Sequence, residues 1–217
     1  MTDQRQKITW VTVVIFTILI LDQSLKLWIK TNMTYGEEFL LLGQSWARIH
    51  FVENEGMAFG MAFGGQWGKI FLTLFRVLAA VFLIYLMRTL IQVKERTGLL
   101  ISIGLIFAGA VGNIIDSLFY GILFSSSTAY GDPAVLFPEG GGYSSFLMGK
   151  VVDMFYFPLF EFTWPEWLPF WGGNTFEFFK PVFNIADAAI TTGVALLLLF
   201  YRDFFMSDTS KKPKEEE

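Results

Sequence analysis

Asp153 and Asp187 stand in apolar company: Asp153 within Val151-Val152-Asp153-Met154-Phe155, and Asp187 at the end of Phe183-Asn184-Ile185-Ala186-Asp187, where a hydrophobic helix opens. An ionisable group inside a membrane segment costs about 2.5–3.5 kcal/mol on insertion scales, so it marks a functional site. Two carboxyl groups can hydrolyse a peptide bond if one, ionised, takes a proton from water while the other, protonated, polarises the scissile carbonyl. Neighbouring like charges push the two pKa values apart and create that mixed state. Asp187, in the first turns of a helix, is favoured ionised by the macrodipole and is the expected base. Asp153, among Val151, Val152, Phe155, Tyr156 and Phe157, is the expected acid, with the pair titrating as a unit. The chain has no cysteine and a single histidine, His50, which removes thiolate chemistry and leaves little basis for zinc. No cofactor and no metal are expected.

The elements that must position these residues are set by apolar runs. Of the 217 residues 53% are hydrophobic and 25 are Phe, and the apolar residues fall into blocks near 8–29, 67–87, 98–120 and 181–201. About 20 apolar residues span a bilayer as a helix, and no block alternates as a barrel strand would. The expected fold is an all-α membrane protein: a single domain of four transmembrane helices plus a small extracytoplasmic β and loop platform at the membrane surface. Arg5 and Lys7 before the first block resemble a signal peptide. However, Asp22-Gln23-Ser24 replaces small cleavage residues and the apolar pattern resumes through Ile29, so this is a retained helix. Arg5, Lys7, Arg88, Lys94, Arg96, Arg202, Lys211, Lys212 and Lys214 fall on one side. Lys26, Lys30, Lys69, Lys150 and Lys180 fall near helix ends on the other, with Arg48 farther out. The richer side is cytoplasmic and holds both termini. The net charge of −4 owes much to Glu215-Glu216-Glu217, in an expected disordered tail over 207–217.

Alternating helix directions bring Asp22, Arg76, Asp116 and Asp187 to one depth, a polar layer facing itself or a wet cavity. Asp22 and Lys26 are spaced for an i,i+4 ion pair. Gly104, Ala108, Gly112 and Asp116 recur every four residues, a small-residue stripe that delivers Asn113 and Asp116 inward. Asn184, Asp187 and Thr191 share a face of the last helix, and Pro181 suits its first turn. Asn54, Asn113 and Asn184 are buried polar anchors. Outside the bilayer, 30–66 is apolar and glycine-rich, with Met-Ala-Phe-Gly repeated at 61–64, and 121–180 is crowded with Trp164, Trp167 and Trp171, which belong at the headgroup level. His50 has no identified partner.

The set Asp22-Gln23-Ser24-Leu25-Lys26, Asn54-Glu55-Gly56-Met57-Ala58-Phe59-Gly60, Gly112-Asn113-Ile114-Ile115-Asp116, Val151-Val152-Asp153 and Phe183-Asn184-Ile185-Ala186-Asp187 resembles lipoprotein signal peptidase, or signal peptidase II. The resemblance, from about residue 8 to residue 200, implies a bacterial inner-membrane aspartic endopeptidase with its active site toward the outer face. Its implied catalytic residues are Asp153 and Asp187, with Asp22, Lys26, Asn54, Gly56, Asn113, Asp116, Asn184 and Ala186 of the shared motifs binding substrate or structuring the site, to which the depth of Arg76 in its span adds Arg76. Implied partners are diacylglyceryl-modified prolipoproteins, cut just before the lipid-bearing cysteine, and membrane lipid. Globomycin-type cyclic peptides are the implied inhibitors, with no nucleic acid and a monomeric enzyme. Two departures stand out: Ser117 follows Asp116 where the family commonly has arginine, and an insertion over about 122–150 separates Asp116 from Asp153. Arg76 is expected to replace that arginine as the counter-ion of Asp116. The rival readings are a small proton-coupled transporter or channel, which shows no inverted repeat here, and a non-catalytic lipoprotein-binding membrane protein.

Overall fold

The computed structural model describes residues 2–55 and 65–206. Gly56, the Met-Ala-Phe-Gly repeat and the 207–217 tail lie outside the described residues. The chain runs α1 (Thr2–Asn32), β1 (Glu38–Leu41), β2 (Gln44–Asn54), α2 (Gly65–Gln92), α3 (Thr97–Ile115), a π turn over Asp116–Tyr120, α4 (Gly121–Leu123), β3 (Val151–Tyr156), β4 (Phe160–Thr163), β5 (Thr175–Phe178), α5 (Ile185–Phe200) and α6 (Arg202–Met206). Three apolar helices, Asp3–Asn32, Trp67–Gln92 and Thr97–Leu123, are long enough to cross a membrane, and Ile185–Phe200 is a shorter apolar helix. The result is a mostly helical membrane protein with a small sheet. The last helix starts later than its apolar block suggests, because Asn184 rather than Pro181 initiates it.

The helices pack through small residues and bare backbone. A Cβ on Gly104 would meet Val11 and Ile15 of α1, and one on Gly112 would come within 2.7 Å of the Asp22 carboxylate. Ala108, on the same stripe, is fully buried. Gly109, off that stripe, presses against the Ala186 carbonyl of α5, and Gly193 of α5 faces the Ser102 carbonyl of α3. These contacts set the spacing of α1, α3 and α5, as small residues do where helices approach closely. Gly109→Ala should therefore lower thermal stability by about 1–3 kcal/mol, the usual cost of overpacking. Gly140→Ala, at a glycine with open space around it, is the control and should leave the melting temperature unchanged.

Strands β1, β2 and β3 form an antiparallel sheet in that order, with Val52 opposite Asp153 and Asn54 opposite Val151. The β4–β5 hairpin is a separate two-stranded sheet. Ile49, Phe51, Val152 and Met154 of the larger sheet pack with Ile29, Met33, Tyr120 and Phe124, which seats the sheet on one end of α1 and on the π turn. The insertion threads between them: Ala134 N–H donates to the Lys30 carbonyl, Ser144 N–H to Gly121 and Gly149 N–H to Ser117. It is a fixed part of the structure that lays β3 against the bundle.

Candidate active site

Helix α5 begins at Asn184, whose side chain accepts a hydrogen bond from the Asp187 N–H at 2.9 Å while the Asp187 carboxylate accepts from the Asn184 N–H at 3.4 Å. This capping box satisfies two amides and fixes the carboxylate at the positive end of the helix. A further first-turn amide, that of Ala186, donates to Asp22 at 2.9 Å, so α1 caps α5 across the bundle. Asp187 also accepts from the Asn113 side-chain amide at 2.8 Å.

Strand β3 brings Asp153 to the same place, since Phe155 and Phe183 pair as an isolated bridge just before α5. Asn184 Nδ2 donates to Asp153 at 2.7 Å, to Asn113 at 3.1 Å and to the Val152 carbonyl at 3.3 Å, while Asn54 Nδ2 reaches the other Asp153 oxygen at 3.3 Å. The three asparagines thus bind the two aspartates as well as backbone. Asp153 is 3% exposed whereas Asp187 is half-buried. Burial pushes the Asp153 carboxyl up to about 7, the Asp187 charge adds to the rise, and the bonds from Asn54 and Asn184 oppose it.

Beneath the pair lies a buried ionic layer. Lys26 is fully buried and reaches Asp22 at 2.9 Å, Asp116 at 2.8 Å and Asn113 at 2.9 Å, which uses all three of its hydrogens. Asp116 also accepts from Gln23 at 2.9 Å and from the Val152 N–H at 3.2 Å, tying the layer to β3 beside Asp153. The expected ion pair of Asp22 and Lys26 is present, but its partner set is wider than one helix could show. Lys26 supplies a cation to Asp116, and the half-buried Arg76 feels Asp187 first and then Asp116 and Asp153, so Asp116 is one of several acids that it faces. Ser117 is buried and donates to the Asn113 carbonyl at 3.0 Å, so no room is held there for an arginine.

Other partners were not singled out by sequence. Gln23 contacts Asp22 and Asp116 and accepts from the Tyr120 hydroxyl at 3.2 Å. Lys30 pairs with Glu53, and Ser127 of the insertion donates to Glu53 at 2.9 Å. Glu55, just before the undescribed segment, pairs with Lys69 just after it. The four-residue spacing of Asp22, Lys26 and Lys30 was the available signal for this polar face of α1. His50 does have a neighbour, the Glu38 carboxylate at 3.3 Å. Among the described residues, no group of three or more His, Asp or Glu is placed to hold a metal ion.

This arrangement defines a multi-pass membrane protein whose polar layer is organised around two interacting carboxyl groups. A family model described as signal peptidase (SPase) II matches residues 14–202. A lipoprotein signal peptidase of Porphyromonas gingivalis is 51% identical over 192 residues, covering 88% of this chain and 82% of that protein. One from Amoebophilus asiaticus is 38% identical, covering 83% and 72%. A bacterial membrane enzyme solved by the in meso method at 2.3 Å has the same fold, with a TM-score of 0.57 over 97% of this chain and 96% of that one at 24% identity. The chain belongs to the signal peptidase II family. It is an aspartic peptidase that processes lipoproteins.

Proposed function

We propose that the enzyme cuts the signal peptide from diacylglyceryl-modified prolipoproteins just before the lipidated cysteine, with Asp153 and Asp187 as its catalytic pair. The observation that carries this reading is the convergence of a strand carboxyl and a helix-capping carboxyl, both held by Asn184. Asp187, half-exposed at the α5 N-terminus, takes the proton of the attacking water. Asp153, protonated because of its burial, donates toward the scissile carbonyl. Arg76 places a cation within electrostatic range of the pair, and the Lys26 layer holds α1, α3 and β3 in register beneath it. The acyl chains of the substrate stay in lipid and orient the cysteine, so remote binding energy serves positioning.

The proposed setting is the bacterial inner membrane, with α1, α2, α3 and α5 as four spans, both termini cytoplasmic and the pair toward the outer face. Burial supports that orientation. Lys26, Lys30 and Lys69 are buried against carboxylates, so they drop out of the count of surface charges on the outer side and sharpen the basic bias of the other. The enzyme is proposed to act as a monomer and to be inhibited by globomycin-type cyclic peptides.

The test is cleavage by purified enzyme of a precursor peptide with and without its diacylglyceryl group. Strong cleavage of the lipidated form alone, blocked by globomycin, supports the proposal; equal cleavage of both would move specificity to the peptide. The pH profile examines the roles. Activity that needs protonated Asp153 falls as pH rises through about 7. Asn54→Ala removes a hydrogen bond that favours ionised Asp153, so the falling limb should move to higher pH. A limb that stays in place, or moves down, would assign it to another group.

A further inference from the structure

The β4–β5 hairpin is two-faced. Strand alternation puts Phe160 and Phe162 on one face and Glu161 and Thr163 on the other, and the register sets Phe160 opposite Phe178 and Phe162 opposite Phe176. The rings of the first pair stack at 4.7 Å and those of the second lie 5.2 Å apart, with Trp164 edge-on to Phe162 at 4.7 Å and Trp171 beyond it. Even so stacked, every residue of β4 is exposed. A cavity of about 330 Å³, lined by Trp46, Arg48, Tyr156 and Leu159 among others, separates the hairpin base from the larger sheet. The tip goes further: Phe170 is 95% exposed and holds a left-handed backbone, φ 71°, and Trp167 is 78% exposed.

We infer that the aromatic face and tip of this hairpin insert into the headgroup region of the outer leaflet, making it a membrane foot beside the active site. Three observations select lipid as the occupant. The hairpin leaves β3 four residues after Tyr156 and rejoins the apolar helix α5 seven residues after Phe178, so its base is tethered to the membrane-embedded part. Phe155, Phe157, Phe179 and Phe183 form a continuous ring cluster across that base, from the site to the hairpin. Tryptophan and phenylalanine on one face, with acidic and hydroxyl residues on the other, is the pattern of an element lying in the interface. Residues 158–180 carry Glu161, Glu166 and Glu177 against Lys180 alone, so attraction to anionic lipid does not drive the contact. The foot fixes the height of β3, and with it Asp153, relative to the bilayer.

The native chain lacks cysteine, so single labels can be placed cleanly. Full-length Phe170→Cys and Thr163→Cys, each carrying an environment-sensitive fluorophore, would be reconstituted into phosphatidylcholine bilayers containing lipids spin-labelled near the headgroup. Trp167→Cys serves as a second tip position, and cleavage of lipidated precursor in the same samples reports folding independently. The tip labels should be strongly quenched and the Thr163→Cys label should not, with no gain when anionic lipid is added. Equal quenching at both faces, or none at the tip, overturns the inference while leaving the peptidase reading intact. Quenching that appears only after lipidated substrate is added would also overturn it, by assigning the face to the acyl chains of the substrate.

Discussion

Asp153→Asn and Asp187→Asn are each expected to reduce cleavage of lipidated precursor by roughly 10⁴-fold, because one member of the pair cannot perform both proton transfers. The substitutions are near-isosteric, and a turn of the Asn54 amide lets an asparagine at 153 keep its partners. The two losses differ in their effect on the fold, which separates chemistry from stability. The folded state raises the Asp153 pKa from 3.8 to about 7, so between those values it binds more protons than the unfolded chain, and stability falls as pH rises through that interval. Asp153→Asn removes the buried charge, so at pH 8 it should be at least as stable as the parent while inactive. Asp187→Asn should lose activity without that gain, since its carboxylate caps α5. Substantial cleavage by either variant would remove that residue from the pair.

Lys26→Met should cost about 3–5 kcal/mol, the range for breaking a buried ion pair by removing one partner. Asp22 and Asp116, both buried, would then face each other without the cation that now sits 2.9 and 2.8 Å from them. The loss reaches the candidate site because Asp116 holds the Val152 amide and Asp22 holds the Ala186 amide, one residue before each of the two aspartates proposed as catalytic. Thermal unfolding in detergent measures the effect, and Lys26→Met with Asp116→Asn should recover part of it by removing one stranded charge. A single variant as stable as the parent but unable to cleave would make Lys26 a substrate contact rather than a structural cation.

Much of this molecule was legible in one dimension. Apolar runs marked the long helices because bilayer thickness sets a length that composition must meet. The four-residue spacing of Asp22 and Lys26 announced their pairing, and the apolar run placed Asp187 in the first turns of a helix, although that helix starts at Asn184 and not at Pro181. The carboxylate chemistry followed from the absence of thiols and the scarcity of histidine. The aromatic segment was likewise visible as clustered Trp and Phe, but the strands were not: β3, which carries Asp153, forms only through pairing with β2.

Only the tertiary structure decided who partners whom across elements. Depth along a helix can be counted from sequence, but rotation about the bundle cannot, so the bond from Lys26 to Asp116 on another helix could not be read from it. Gly109 lay outside the stripe of four-residue spacing yet makes the closest approach to α5, since helices cross at an angle and a contact face drifts along them. The Ala186 amide meets Asp22 from 164 residues away, and Ser127 of the insertion completes the Lys30–Glu53 pair. Periodicity is a property of a single element and survives in its sequence. The satisfaction of a buried polar group is a property of everything packed around it, and is fixed only when the chain closes.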